Sequence, residues 1–445
     1  MGIDMVLKAD MRRSPEATRR CVREFFQALK PVIPYLPPVV QEGETETGVS
    51  LIHGHWFTIG FTEDTLTVDA RTNVLGPGYH DYLVRTLDGL GKKAGLRWQS
   101  DGEGSGDETG YWDSRDFAAL RKSMVAWLSS LASVLPKLQG REIAPDAVVF
   151  YKTPPAICMM SPLPLAEYEI CHPQGPLTWD AVARFAVEEP DEEDLGRFFM
   201  WWERSEAPTF FRRQWRHPAS LYRNFALFAM WNHITWQKPE GMEEGRLAFA
   251  TLECLETAWR KRPDDEYPVA EWVELAESVN GAEVAETVRR RFPGRADAGA
   301  RIGYLRHDIV WRYGKMMIKL PGAMHMECVA SEPDTYWNER IRLRITAFRR
   351  DDDGDGKPVG AAEWFAGEKV REALAEYEPF AVVDSRVMAK IRHCTLEETD
   401  GSSVFVSTLL AVVDDGYAMQ LFAYYGDEKT REEAEGLFRG IAYSS

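Results

Sequence analysis

Residues 386–425 read RVMAKIRHCTLEETDGSSVFVSTLLAVVDDGYAMQLFAYY, and they give the clearest indication of the fold class. Apolar and polar side chains alternate along it in three runs, as they do in β-strands that bury one face. Aspartate–glycine pairs separate the runs, and such pairs favour the tight turns of β-hairpins. The stretch therefore predicts an antiparallel meander with strands at 386–397, 403–413 and 417–425 and turns at Asp400-Gly401 and Asp415-Gly416.

The sequence on either side of this meander adds further elements of both kinds. Residues 340–348 alternate strictly and predict a strand, whereas apolar residues at helical spacing predict helices over about 360–375 and 427–439. These elements predict a C-terminal antiparallel α+β domain over residues 300–445.

The N-terminal third of the chain has a similar mixed pattern. Alternation from Val49 to Phe61 predicts one strand, residues 66–70 predict the next, and Ser114 is predicted to cap a strongly periodic helix. We assign residues 1–150 to an N-terminal α+β domain.

The middle of the chain lacks this alternation. Prolines crowd residues 151–177, which predicts a connector, and helical periodicity from 178 to 291 predicts five or six helices. We assign residues 151–295 to a proline-rich connector and helical block, so the predicted fold class of the whole chain is α+β.

The composition favours packed domains and a basic partner. The chain has 445 residues, of which 12% are aromatic, and its formal net charge is −17. That charge repels a phosphate backbone and attracts a basic protein, so we expect no nucleic acid partner. Acidic composition also serves solubility alone, and this alternative stays open.

The cysteines and the lengths of the apolar runs indicate the cellular compartment of the chain. The six cysteines are dispersed without a CxxC pair, which is typical of reduced thiols. The first residues contain no apolar core of signal-peptide length, and no run of about 18 apolar residues occurs. We therefore expect a cytoplasmic chain with no membrane partner.

The sequence contains none of the common catalytic and nucleotide-binding motifs that can be recognised without a structure. It has no GxSxG elbow, Walker A loop, HExxH helix or dinucleotide-binding fingerprint. We therefore expect that the chain is not an enzyme and that it has no cofactor.

Two groups of residues nevertheless have metal-ligand spacing. Asp351, Asp353 and Asp355 occupy positions 1, 3 and 5 of a calcium-loop pattern, but position 12, where a bidentate acid belongs, is Ala362. A solvated acidic turn is the alternative.

The second group, His53 and His55, has the spacing of side chains on one strand face. Asp69 on the next strand would be a third metal ligand. The alternative is a pair of hydrogen-bonded histidines in a half-buried sheet.

Arg340, Arg342 and Arg344 form a basic stripe on the strand at 340–348. Such a stripe is typical of a solvated sheet face, and it also suits contact with phosphate or with an acidic partner.

The loop from Asp107 to Asp113 combines carboxylates with two large aromatic residues. This composition suits a protein-binding surface, since rings supply buried area and acids match a basic partner. Alternatively, Tyr111 and Trp112 staple the loop to the following helix.

Two segments carry a resemblance: residues 72–80, TNVLGPGYH, and residues 107–113 with the helix after Ser114. Over about residues 45–135 the chain resembles immunity proteins of bacterial polymorphic-toxin and type VI secretion systems, of the kind paired with nuclease toxins. The resemblance implies a protein that binds and neutralises a cognate toxin. It implies a partner-binding site made of Tyr79, His80, Asp107, Glu108, Tyr111 and Trp112.

A second resemblance concerns the C-terminal part. The order of strands and helices, with Asp415-Gly416-Tyr417 and residues 428–438, is similar to the DcrB or Mog1/PsbP-like fold. That resemblance implies an alternative role as an effector-loading chaperone or adaptor of a secretion system. A third hypothesis is a metal-dependent hydrolase that uses His53, His55 and Asp69.

Overall fold

The structure is a computed structural model with two compact units, one comprising Met1–Glu142, Ala156–Met159 and Ala166–Gly303, the other Ile143–Pro155, Met160–Leu165 and Tyr304–Ser445. It describes residues 3–73, 75–100, 106–134, 148–151, 158–162, 168–172, 175–178, 184–210, 213–296, 299, 302–313, 315–327, 333–349, 359–397 and 403–443. Within these ranges, no helix is long and apolar enough to cross a membrane.

The first unit contains a seven-stranded antiparallel sheet. Its strands, in chain order, are β1 Asp4–Asp10, β2 Val39–Glu42, β3 Glu46–Ile52, β4 His55–Phe61, β5 Thr65–Arg71, β6 Trp98–Gln99 and β7 Gly106–Asp107. They are ordered β2-β3-β4-β5-β1-β6, and β7 also pairs with β1. Alternate residues such as Met5 and Leu7 are buried, which gives the sheet one core face.

The predicted strand from Val49 to Phe61 is wrong, because these residues form the hairpin β3–β4. Gly54 at its turn has φ of 82°, a conformation that glycine adopts without strain. A register shift between Val49 and Ile52 pairs Val49 with Phe57. Odd-numbered residues therefore stay on the same face through the turn, and the alternation resembles that of a single strand.

The first unit also contains helices. They are α1 Pro15–Gln27, α2 Pro77–Ala94, α3 Tyr111–Ser114, α4 Phe117–Val134, α5 Glu192–Phe198, α6 Ala219–Asn232, α7 Gly241–Lys261, α8 Val269–Ser278 and α9 Ala282–Arg291. Phe26 of α1 packs edge-on against Phe57 of β4, with ring centroids 5.7 Å apart.

The start of α4 differs from the prediction. Ser114 ends α3, and Arg115 turns the chain with φ of 53°. Asp116 is the residue that caps α4, since its Oδ1 accepts hydrogen bonds from the amides of Ala118 and Ala119 at 2.9 and 3.1 Å.

A small sheet has the order β11-β10-β9. Its strands are β9 Cys158–Pro162, β10 Tyr168–His172 and β11 Gly175–Thr178.

The second unit contains two sheets. The smaller one, ordered β21-β13-β12-β8, consists of β8 Val148–Tyr151, β12 Asp308–Tyr313, β13 Met316–Pro321 and β21 Ala442–Tyr443. The larger one, ordered β14-β15-β16-β20-β19-β18-β17, consists of β14 His325–Glu327, β15 Asp334–Trp337, β16 Ile341–Arg349, β17 Glu378–Phe380, β18 Met388–Glu397, β19 Ser403–Val412 and β20 Tyr417–Tyr425.

The three predicted strands of the meander are confirmed as β18, β19 and β20, which pair antiparallel in sequence order. The predicted turn at Asp400-Gly401 lies outside the described residues. Gly416 in the second turn has φ of 89°. The helices of this unit are α10 Ala361–Ala366, α11 Glu368–Ala373 and α12 Arg431–Arg439. Phe438 of α12 belongs to the main core, while Phe365 of α10 packs in a smaller cluster with Leu410. Helices and antiparallel sheets thus coexist in the chain, which confirms the mixed α+β fold class.

Candidate functional site

The two segments that carry the immunity-protein resemblance meet in one buried polar cluster. Thr72 follows β5, His80 lies in the first turn of α2, and Asp107 ends β7. The imidazole of His80 bridges the other two, with Nδ1 2.7 Å from Thr72 Oγ1 and Nε2 3.0 Å from Asp107 Oδ2. The side chains of His80 and Asp107 are 0% and 1% exposed, so this bridge is an internal one.

The carboxylate of Asp107 accepts three hydrogen bonds from its own loop. Its Oδ1 accepts the amide and hydroxyl of Thr109 at 2.9 and 2.7 Å, and its Oδ2 accepts the amide of Trp112 at 2.7 Å. Burial by itself would raise the pKa of Asp107, but the hydrogen bonds from His80 and Thr109 outweigh it and lower that pKa to about 2. The carboxylate therefore stays charged and holds the loop in shape at neutral pH.

The neighbouring Asp81 is the centre of a second network. Its Oδ1 accepts Nε and Nη2 of Arg204 at 3.1 and 3.0 Å, Nη2 of Arg85 at 3.0 Å and the hydroxyl of Tyr111. Asp81 is 0% exposed, whereas the side chains of Arg204 and Arg85 are 42% and 24% exposed. One buried carboxylate therefore joins α2, α3 and the segment after α5.

The electrostatics of this network follow from that arrangement. Burial raises the pKa of the Tyr111 hydroxyl, and its hydrogen bond to the Asp81 carboxylate raises it further. Burial would lower the pKa of Arg204, but the charge and hydrogen bonds of Asp81 outweigh it and raise that pKa. Tyr111 remains a neutral donor and Arg204 remains a cation at neutral pH.

The glycines of the first segment allow a close approach of backbone. The amide of Gly78 donates to the carbonyl of Trp201 at 2.8 Å, and the amide of Trp201 donates to the carbonyl of Leu75 at 2.8 Å. A Cβ at Gly78 would lie 2.2 Å from Trp201 Cδ1 and 2.4 Å from the carbonyl oxygen of Glu203. The Gly-Pro-Gly segment is therefore a packing seam against residues 201–203.

The structure places most of the predicted partner-binding residues inside the fold. Exposure is 2% for Tyr79, 0% for His80, 1% for Tyr111 and 8% for Trp112, and Asp107 is internal as described above. Glu108 is exposed, and its Oε2 accepts the amide of Asp4 at 3.1 Å. This burial favours the interpretation in which Tyr111 and Trp112 staple the loop, and it leaves Glu108 as the member of the set that faces solvent.

The hydrogen-bonded triad of Thr72, His80 and Asp107 has the residue types of a hydroxyl–imidazole–carboxylate relay. Catalysis by such a relay needs a hydroxyl that substrate reaches, and Thr72 and His80 are both 0% exposed. In this conformation the triad therefore has a structural role, because its hydrogen bonds connect the end of β5, α2 and β7.

The predicted ligand set His53, His55 and Asp69 is wrong as a group. His53 lies in the hairpin turn, and Asp69 pairs with Thr58, an odd number of residues from His55 and thus on the other sheet face. His53 instead contacts His233, which follows α6, with ring centroids 5.2 Å apart.

The remaining candidates are placed as follows. Arg342 and Arg344 lie on β16, whereas Arg340 precedes it and forms an ion pair with Glu433 at 2.6 Å. The acidic run with Asp351, Asp353 and Asp355 lies outside the described residues. In the described part of the chain, no group of three or more His, Cys, Asp or Glu side chains is arranged around a common metal position.

Known proteins provide little information on the function of this chain. No family model matches the chain, and no curated protein matches it. A crystal structure of a protein from Bacteroides thetaiotaomicron VPI-5482 is similar with 10% identity and a TM-score of 0.24, over 29% of this chain and 45% of that chain. The chain thus spans less than half of that protein, and a likeness this weak carries no argument about fold or function.

Sequence reasoning missed Asp81, Arg204 and His233. An aspartate among the aromatic residues of α2 was a signal of a buried charge. Its partner Arg204 is 123 positions away, and nothing local marks that pairing.

Proposed function

We propose that the chain is an immunity protein that binds a cognate secreted toxin in the cytoplasm and neutralises it by stoichiometric protein–protein inhibition. The resemblance over residues 45–135 supports this role and implies a toxin of the nuclease class. Neutralisation of this kind requires no chemistry from the chain, only a surface that a basic partner recognises.

The observation that carries the proposal is an exposed acidic surface in a chain of net charge −17. We define the acidic face as five exposed carboxylates that lie just before α5 and in its first turn: Glu188, Glu189, Asp191, Glu192 and Glu193. Glu188 and Glu189 form no ion pair within the described residues, and the adjacent Val187 is 86% exposed. Unpaired acids beside an exposed apolar side chain suit a basic partner with an apolar contact.

The acidic face is held by the elements that carry the resemblance. Glu192 forms an ion pair with Arg121 of α4 and accepts the indole N–H of Trp202 at 2.9 Å. Because α4 follows the Asp107–Asp113 loop along the chain, after α3, the polar cluster and the acidic face share one support. Such a preorganised surface loses less conformational entropy when a partner binds.

Co-expression with the product of the adjacent reading frame tests the proposal. We expect a complex with integer stoichiometry, 1:1 or 2:2, that relieves toxicity of that product. A harmless neighbour that does not bind, in pull-down or in growth assays, contradicts the proposal.

A charge-reversal variant then tests the acidic face. Glu188→Lys with Glu189→Lys should slow association at least about tenfold at low ionic strength, because steering by opposite charge is lost. The matched control is Glu283→Lys with Glu286→Lys, which makes the same charge change at exposed positions of α9. If both variants slow association equally, the net charge of the chain attracts the partner and the acidic face has no special role.

A further inference from the structure

Strand β16 carries two arginines on the face of its sheet that is turned away from the main core. Leu343 belongs to that core, so Arg342 and Arg344 on either side of it point to the opposite, outer face. Helix α10 packs on the same outer face through Phe365, which contacts Leu410. Arg342 is exposed, and Arg344 is half-buried.

Aromatic side chains lie beside both arginines. In the antiparallel register Arg342 is opposite Trp337 of β15 and Tyr424 of β20. Arg344 is opposite Phe422 of β20. Residues directly opposite each other in neighbouring strands have their Cβ atoms roughly 5 Å apart on one face, so these side chains are adjacent. The three rings are half-buried. We call these five residues the arginine surface.

The two arginines are not neutralised by a carboxylate. In the part of the chain that the structure describes, the side chains of Arg342 and Arg344 form no ion pair and no hydrogen bond. Arg392, on the same sheet face, differs because it pairs with Glu376 at 3.0 Å. The arginine surface therefore offers two available positive charges beside apolar rings.

We propose that the arginine surface binds an extended acidic segment of a partner protein. A guanidinium group pairs with a carboxylate through two parallel hydrogen bonds, and aromatic rings supply apolar contact area. Arg342 and Arg344 are two residues apart, which is about 6.6 Å along a strand, and side chains two residues apart in an extended peptide have the same spacing. Two carboxylates of such a segment therefore meet both arginines at once.

The extent of the arginine surface favours a peptide over a nucleic acid. A single strand of nucleic acid needs a basic groove that follows several phosphates. Here the nearby Arg392 is already paired, and the net charge of −17 repels a long phosphate backbone more strongly than a segment with few charges. This partner is opposite in charge to the basic toxin proposed above, and the inference does not depend on that toxin.

Fluorescence anisotropy of the full chain with a labelled probe tests the proposal. The probe is a short peptide of glutamates around one central phenylalanine, and the control probe has glutamine in place of every glutamate. We expect the acidic probe to bind, the control probe to bind at least about tenfold more weakly, and the affinity of the acidic probe to fall as NaCl rises.

A charge-reversal variant assigns this binding to the arginine surface. Arg342→Glu with Arg344→Glu should weaken binding of the acidic probe at least about tenfold, because two attractive contacts become repulsive. The matched control is Arg12→Glu with Arg13→Glu, which makes the same charge change at two exposed positions and should keep the affinity within about twofold. Circular dichroism checks that each variant is folded. If the first variant does not fold, Arg342→Gln with Arg344→Gln removes the charges alone and should still weaken binding about threefold or more.

Four results would overturn the proposal. The first is absence of binding of the acidic probe to the folded wild-type chain, and the second is equal weakening by the variant and its matched control. Tighter binding of a short oligothymidylate, lost on charge reversal of the two arginines, would assign the surface to nucleic acid instead. Self-association of the wild-type chain that the same variant abolishes would assign it to a second copy of the chain.

Discussion

Replacement of Gly78 by alanine tests the packing seam between α2 and residues 201–203. The new Cβ would lie 2.2 Å from Trp201 Cδ1 and 2.4 Å from the Glu203 carbonyl oxygen. Favourable contacts of carbon begin near 3.5 Å, so both distances are short by about 1 Å. Trp201 is 0% exposed and the second atom belongs to the backbone, so neither moves away easily.

The expected cost follows from two opposing effects. Overpacking of this severity costs about 3 kcal/mol, the upper part of the usual range. Alanine recovers at most about 1 kcal/mol in a helix, because glycine is the poorer helix former. Gly78→Ala should therefore lower the free energy of unfolding by about 2 kcal/mol or more.

Urea unfolding followed by circular dichroism measures this change as a lower midpoint at constant slope. Gly245→Ala is the matched control, since a Cβ at Gly245 in α7 meets nothing within 4 Å. That control should stabilise by about 0.5–1 kcal/mol. If Gly78→Ala is as stable as Gly245→Ala, the Gly-Pro-Gly segment is not a packing seam.

Three further predictions concern stability. Asp81→Ala leaves the Arg204 guanidinium without its carboxylate and should lower the free energy of unfolding by about 2–3 kcal/mol, less than for a fully buried pair because Arg204 is 42% exposed. Unchanged stability in thermal unfolding would contradict the Asp81 network. In the folded chain the pKa is about 4 for His55 and about 3 for His233, below the ordinary 6.5, so the unfolded chain binds more protons in this range. The free energy of unfolding should therefore fall from pH 6.5 towards pH 3, and His233→Phe should reduce that fall. The same pH profile in both proteins would refute the burial of neutral His233. Phe365→Ala should cost about 3 kcal/mol by emptying the small core under α10, and a cost below about 1 kcal/mol in denaturant unfolding rejects that packing.

The meander could be predicted because its determinants are local. The alternation predicts strands at 403–413 and 417–425, and β19 and β20 occupy Ser403–Val412 and Tyr417–Tyr425. Alternation places side chains on two faces, and Gly416 supplies the positive φ of the turn. Both signals lie within a few residues of the structure that they determine.

The hairpin β3–β4 was hidden by a bulge. Without the register shift between Val49 and Ile52, a two-residue turn would have reversed the phase of the alternation, and the turn would have been visible. The shift restored the phase, so the sequence between Val49 and Phe61 resembled an unbroken strand. One glycine in that run, Gly54, was the remaining signal.

The candidate site was only partly predictable for a different reason. The resemblance indicates the segments with His80 and Asp107, and these two segments contact each other. Their burial depends on the later segment with Trp201 and Arg204, whose contacts with α2 are set by tertiary packing. Surface composition indicated a binding loop, while distant packing buries the two aromatic side chains of that loop, Tyr111 and Trp112.

Isothermal titration of the purified chain with the product of the adjacent reading frame tests whether the two proteins form a stoichiometric complex. We expect a tight complex with equal numbers of both proteins and an affinity that falls as ionic strength rises. No heat of binding, confirmed by a single-species sedimentation profile of the mixture, would contradict the proposed neutralising role.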